Sequence, residues 1–109
     1  MNNVIQALET HIQTILPNWS VRVGMELENM DANSVLIEDT YNIEVVSDTG
    51  FSVSLGITGY GKKREDVENA MVEILNKTHK KVVGGAMVYI KTARLDRSNN
   101  FWGFSIQVS

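Results

Sequence analysis

Eight consecutive residues, Phe51-Ser-Val-Ser-Leu-Gly-Ile-Thr58, alternate apolar and small polar side chains without a break. A period of two places Phe51, Val53, Leu55 and Ile57 on one face of a β-strand and Ser52, Ser54, Gly56 and Thr58 on the other. The polar face suits solvent or a close-packed neighbour. The apolar face needs a cover, and the sequence offers two. Ile5, Leu8, Ile12 and Ile15, with Val4 and Leu16 beside them, recur at spacings of three and four and predict a helix. Asn2 or Asn3 can cap its start, and Pro17 ends it by disfavouring helix in the preceding residue. Val67, Ala70, Met71, Ile74 and Leu75 make a second apolar stripe, predicting a helix over 64–80. Glu65, Asp66 and Glu68 in its first turns and Lys77, His79, Lys80 and Lys81 in its last match the helix dipole at both ends.

The remaining strands follow from shorter patterns. Trp19, Val21 and Val23 alternate with polar residues; 35–39 and 41–46 read as short strands, the second followed by an Asp48-Thr49-Gly50 turn. After Gly84-Gly85, Met87 to Arg94 reads as a strand and Asp96 to Asn100 as its turn. Trp102, Phe104, Ile106 and Val108 line one face of a final strand. The order is α-β-β-β-β-α-β-β, with strands joined mostly by hairpins and the crossover through the second helix as the one opportunity for a parallel pair. The expected architecture is α+β: a single twisted, mostly antiparallel sheet with two helices packed on one face. At 109 residues and 12.2 kDa, one domain over 1–109 accounts for the whole sequence. No repeat or low-complexity tract interrupts it.

Composition narrows function by exclusion. Thirty-two residues are Leu, Ile, Val or Phe, well above the roughly 20% below which chains stay disordered. The net charge of −3, without a clustered basic excess, argues against a dedicated nucleic-acid binder. The longest apolar run, Ala86 to Ile90, is five residues against the ~20 of a membrane helix. The first cation is Arg22, so the charged start of a secretory signal is missing. With no cysteine there are no disulfides, thiolate metal sites or cysteine nucleophiles, a pattern that fits a reducing compartment such as the cytoplasm.

The motifs that invite a chemical reading mostly fail on inspection. Gly56-Ile-Thr-Gly-Tyr-Gly61-Lys62-Lys63 has the Gly-x4-Gly-Lys of a phosphate loop, but Lys63 stands where a magnesium-binding Ser or Thr is required. A dinucleotide Gly-x-Gly-x-x-Gly fails because Arg64 takes the last glycine's place. The Gly59-Tyr60-Gly61 group reads instead as a break between strand and helix, with glycine allowing positive φ. Lys62, Lys63 and Arg64 form a basic run that is either a solvated turn or a contact with an acidic partner or phosphate. His11 and His79 sit at helix positions without metal-ligand spacing. Carboxylates are scattered, and no serine has a nucleophile-elbow context. Trp102 and Phe104 read as core, because the strand that carries them has no Lys or Arg to complete a stacking platform for nucleic acid. The sequence thus predicts no catalytic, metal or cofactor site.

Residues 24–34 (GMELENMDANS) keep no period and form a loop of ~11 residues, near the long end for a compact domain. Met25, Leu27 and Met30 stand among acidic and small residues. Methionine adapts to partner surfaces, so this reads as a mobile contact loop; the competing reading folds it back onto its own core.

Taken together, the N-terminal amphipathic helix, the strand at Trp19 to Val23, the irregular loop, the long alternating strand, the ITGYGKKREDVENAMVEIL stretch and the LDRSNN turn before FWGFSIQVS resemble a tail terminator (tail completion) protein of long-tailed bacteriophages and prophages. The resemblance covers essentially the whole chain and rests on arrangement, since that family has no invariant catalytic motif; small neck proteins share the look. It implies a virion structural protein, made in the bacterial host cytoplasm and located in the virion tail. Such proteins form a ring, commonly of six copies, on the last ring of the tail tube. The ring stops tube growth and offers the surface for head–tail joining. The implied partners are further copies of itself, the tail-tube protein and a head–tail connector protein, with no membrane and no direct nucleic-acid contact. Ring closure requires head-to-tail contacts whose rotation closes. By exposure, Met25, Leu27 and Met30 are candidates for the contact loop, and Lys62, Lys63, Arg64, Arg94, Asp96 and Arg97 for charged contacts between subunits or with the next ring. Two other classes stay open: a small α+β ligand-binding or other protein-interaction module, which needs a concave apolar pocket, and an enzyme subunit, for which no reacting groups can be placed together.

Overall fold

The longest strand organises the molecule. The computed structural model describes residues 2–24, 33–47, 50–98 and 101–108. Its elements run α1 (Asn2–Ile15), β1 (Ser20–Val23), β2 (Ser34–Ile37), β3 (Asn42–Ser47), β4 (Gly50–Gly61), α2 (Arg64–Thr78), β5 (Lys81–Val83), β6 (Ala86–Val88), β7 (Ile90–Ser98) and β8 (Phe101–Val108). β4 has 12 residues, a length of about 40 Å at the usual rise, in a molecule measuring 47 × 25 × 22 Å. Its second half is central: β2 pairs with one edge through Ile57–Tyr60 and β8 with the other through Leu55–Gly61, giving the order β1-β2-β4-β8-β7. Its first half pairs with β3, Ile43 opposite Val53 and Asn42 opposite Ser54.

Register assembles the core. Val21, Val35, Gly59, Phe104 and Leu95 are successive partners across five strands, and Val23, Ile37, Ile57, Ile106 and Ala93 form the next such row. These rows share one face, on which α1 lays Ile5, Leu8 and Ile12 and α2 lays Val67, Ala70 and Ile74. Ile12, Val35, Ile37, Ile57, Val67, Ile74 and Ile106 are fully buried, and each such side chain stabilises the fold by about 1.5–3 kcal/mol over its exposed state. Phe104 lies over Gly59: a Cβ there would come 2.1 Å from Phe104 Cε2, so the space above position 59 already belongs to the ring.

The α+β class and the expected element order hold, except that the strand expected over Met87–Arg94 is interrupted at Tyr89: Met87 and Val88 belong to β6, which pairs with β5 as a separate hairpin, and Ile90–Arg94 to β7. That hairpin turns through Gly84 (φ 61°) and Gly85 (φ 82°), the pair of positive φ angles that a two-residue type I′ connection requires. Three further details differ from expectation. The parallel pair is β1–β2, not one made through α2, because β4 and β8 on either side of α2 pair antiparallel. Gly59-Tyr60-Gly61 does not break the strand; it is the end of β4, and none of these residues has a positive φ. The glycines there answer to crowding by Phe104, and at Gly61 by Val67 and Asn33. Finally, β7 continues through Asp96 and Arg97 to Ser98, so these two lie in a strand where a turn was expected.

Candidate interaction surfaces

The predicted charged residues fall into two groups. Lys62 and Lys63 follow β4, and Arg64 opens α2. Lys63 is the N-cap residue, extended at φ −109°, and provides no side-chain cap; the N-terminal end of α2 is instead complemented by Glu65 and Asp66 in its first turn. Arg64 pairs with Glu68 at 3.1 Å. Across the sheet, Gly61 is opposite Trp102 and Trp102 opposite Arg97. The guanidinium of Arg64 lies 5.6 Å from the Trp102 ring centroid and that of Arg97 5.5 Å from it. Arg64, distant in sequence, and Arg97, the partner of Trp102 across the β7–β8 hairpin, thus place two cations on one half-buried indole, each contact worth about 0.5–1 kcal/mol where exposed. The strand's own sequence carries no cation, which is why reading Trp102 as plain core missed this cluster; the arginines arrive from α2 and β7. Phe104, by contrast, is buried core and packs 6.5 Å from Trp19.

Arg94 and Asp96 form the second group. They are i, i+2 neighbours on one face of β7 and make an exposed ion pair at 3.0 Å, of the kind that contributes ~0–1 kcal/mol. Arg97 alternates to the other face. The candidates Met25, Leu27 and Met30 lie outside the described residues.

The two histidines tie α1 and the start of β7 to the C-terminal end of α2. His11 Nε2 sits 3.1 Å from both the Lys77 carbonyl and Thr78 Oγ1. A carbonyl only accepts, so Nε2 carries the proton, and α1 thereby ties down the C-terminal end of α2. His79 Nδ1 accepts from the Ile90 backbone N–H at 2.9 Å, which puts the lone pair on Nδ1. Tyr89 packs edge-on against the same ring, centroids 6.2 Å apart.

The described residues line several open grooves. One, of about 230 Å³, is bounded by Ile5, Gln6, Glu9, Val23 and Asp39; another, of about 300 Å³, by Trp19, Asn33, Asp66, Asn69 and Glu73 among others. Among the described residues no group of three or more His, Asp or Glu is placed to hold a metal ion, and no helix is long and apolar enough to cross a membrane.

The exposed apolar side chains concentrate elsewhere. On β3 and just before it, Tyr41, Ile43 (56% exposed) and Val45 (77%) share one side. By register that is the side on which Val53 continues the buried row of Leu55 and Ile57. The core face of β4 therefore runs out past the helices onto a two-stranded arm. Sequence alternation marked Val53 as apolar-facing, but nothing in the 41–46 pattern showed that Ile43 and Val45 would stay uncovered. A second patch comprises Val82 (65%), its cross-strand partner Met87, and Tyr89.

No protein-family model and no curated protein sequence matches this chain. Solved structures do match in fold. A chain described as part of the virion of a native gene transfer agent particle superposes with a TM-score of 0.66 at 9% identity, over 96% of this chain and 93% of that one. The fold of this protein is therefore one that a virion component also uses, over nearly the full length of both chains.

Proposed function

We propose that this protein is a structural component of a phage-type virion, and more specifically that it caps the tail tube as a ring, ends tube polymerisation and presents the head-joining surface. The observation that carries the reading is the near-complete correspondence of fold with a chain from a gene transfer agent virion, joined to the resemblance of the element arrangement to tail terminators. The distribution of surface supports it. A subunit that closes a ring and meets a polymer needs projecting, partly apolar contact elements on a rigid scaffold. Here the scaffold is the helix-covered sheet, the projecting element is the β3–β4 arm, and the β5–β6 hairpin, anchored in the core through Val83 and Val88, adds an exposed apolar strip. The Arg64–Trp102–Arg97 cluster gives one end of the sheet an aromatic, arginine-flanked surface of the kind enriched at protein interfaces.

The test is tube growth in vitro. Tail-tube protein from the same genome, polymerised with increasing amounts of this protein, should give shorter tubes with the protein at one end by immunogold labelling. Tubes of unchanged length and without end labelling at excess protein would retire the capping role.

A further inference from the structure

The two exposed apolar patches carry opposite charge. From residue 23 to residue 61 the sequence has seven carboxylates and no Lys or Arg. From 77 to 95 it has five cations and no carboxylate. The fold places the two stretches on elements that flank β8, β4 with its partner β3 on one side and β7 on the other. The first stretch includes the arm, where Asp39 and Glu44 are exposed beside Tyr41, Ile43 and Val45. The second includes the β5–β6 hairpin and the start of β7, where Lys80, Lys81 and Lys91 are exposed beside Val82, Met87 and Tyr89.

We propose that copies of this chain associate head to tail, the acidic apolar arm of one copy seated on the basic apolar hairpin of the next. Each patch supplies what the other lacks. Glu44 lies on the face of the arm opposite Ile43, but a two-stranded ribbon is thin, and at a screening length of ~8 Å its carboxylates set the sign of the potential around the whole arm. Opposed charge steers the encounter and fixes its orientation, while the apolar side chains supply the area removed from water. Arm on arm and hairpin on hairpin both juxtapose like charges, so a two-fold pairing of either patch with itself is disfavoured. The contact that remains is heterologous, the type that builds rings or filaments. A two-stranded ribbon is itself marginal in water, and seating its apolar side on a neighbour relieves that. The choice of a second copy as occupant rests on the ring reading above; the complementarity of the patches does not.

Charge-reversal variants separate these claims. Asp39→Lys/Glu44→Lys (arm) and Lys81→Glu/Lys91→Glu (hairpin) alter exposed residues, and unchanged thermal melts establish that both fold. Wild-type protein should form concentration-dependent multimers by sedimentation, weakening as salt is raised. Each variant alone should associate at least tenfold more weakly, and an equimolar mixture should regain multimers, because each reversed patch then meets its opposite. Because the chain has no cysteine, mixing Val45→Cys protein with Met87→Cys protein under mild oxidation should give a mixed disulfide-linked dimer in preference to either like dimer. A wild-type monomer at ~1 mM, variants that associate like wild type, a mixture that fails to recover, or an absence of the mixed dimer would each overturn the contact. Recovery in the mixture with unlimited tube growth would retire the capping role alone; limited tube growth without recovery would retire this contact alone.

Discussion

The two halves of β4 share one alternating sequence and have opposite surroundings. From Leu55 to Gly61 the strand has β8 along one edge, β2 along most of the other, and α2 over its apolar face. From Gly50 to Ser54 its described partner is β3, with Ile43 and Val45 left largely in solvent. The difference shows that period-two alternation specifies which way a side chain points and leaves open whether anything lies there. In the body, the apolar face is used to fold the chain. On the arm, the same face is available for a neighbour.

Substitutions can break this comparison, and the largest effect belongs to the body. Ile57→Ala removes a fully buried side chain between β2 and β8 and should cost about 3–4 kcal/mol in chemical denaturation; a loss below about 1 kcal/mol would mean the body is not packed as described. Gly59→Ala comes next, because its Cβ would occupy the Phe104 ring position. Moving a buried ring should cost about 2–3 kcal/mol, and Gly59→Ala combined with Phe104→Leu should recover part of it. His11→Ala deprives the buried Thr78 hydroxyl and the Lys77 carbonyl of their common partner. A loss of about 1–2 kcal/mol is expected, read as a lower melting temperature. Smallest is Val45→Thr on the arm, expected within about 0.5 kcal/mol of wild type by the same melts, while weakening self-association. An arm substitution as costly as Ile57→Ala would show the arm to be part of the fold's own core.

Much of the body was legible because its signals are local. The Ile5, Leu8, Ile12 stripe, the carboxylates at the start of α2 and the alternation through Phe51–Thr58 each depend on chain geometry alone. The candidate surfaces were legible only in part. Lys62, Lys63, Arg64, Arg94, Asp96 and Arg97 are exposed as expected, yet their grouping was not: Arg64 and Arg97 converge on Trp102, while Arg94 pairs with Asp96 on the other face of β7. Gly59-Tyr60-Gly61 misled because glycine in a strand and glycine in a turn look alike until the facing residue is known, and here that residue is Phe104 on another strand.

By itself, then, the sequence determined an α+β domain with two amphipathic helices, strands in this order and apolar faces pointing as observed, since propensity and periodicity act between near neighbours. Tertiary structure alone decided that β1 and β2 run parallel, that two arginines meet one indole, and that Ile43 and Val45, paired with the far half of β4, stay in solvent. Those outcomes depend on how separate strands and helices are set against one another and on where the helices stop covering the sheet, quantities that no local pattern of residues encodes.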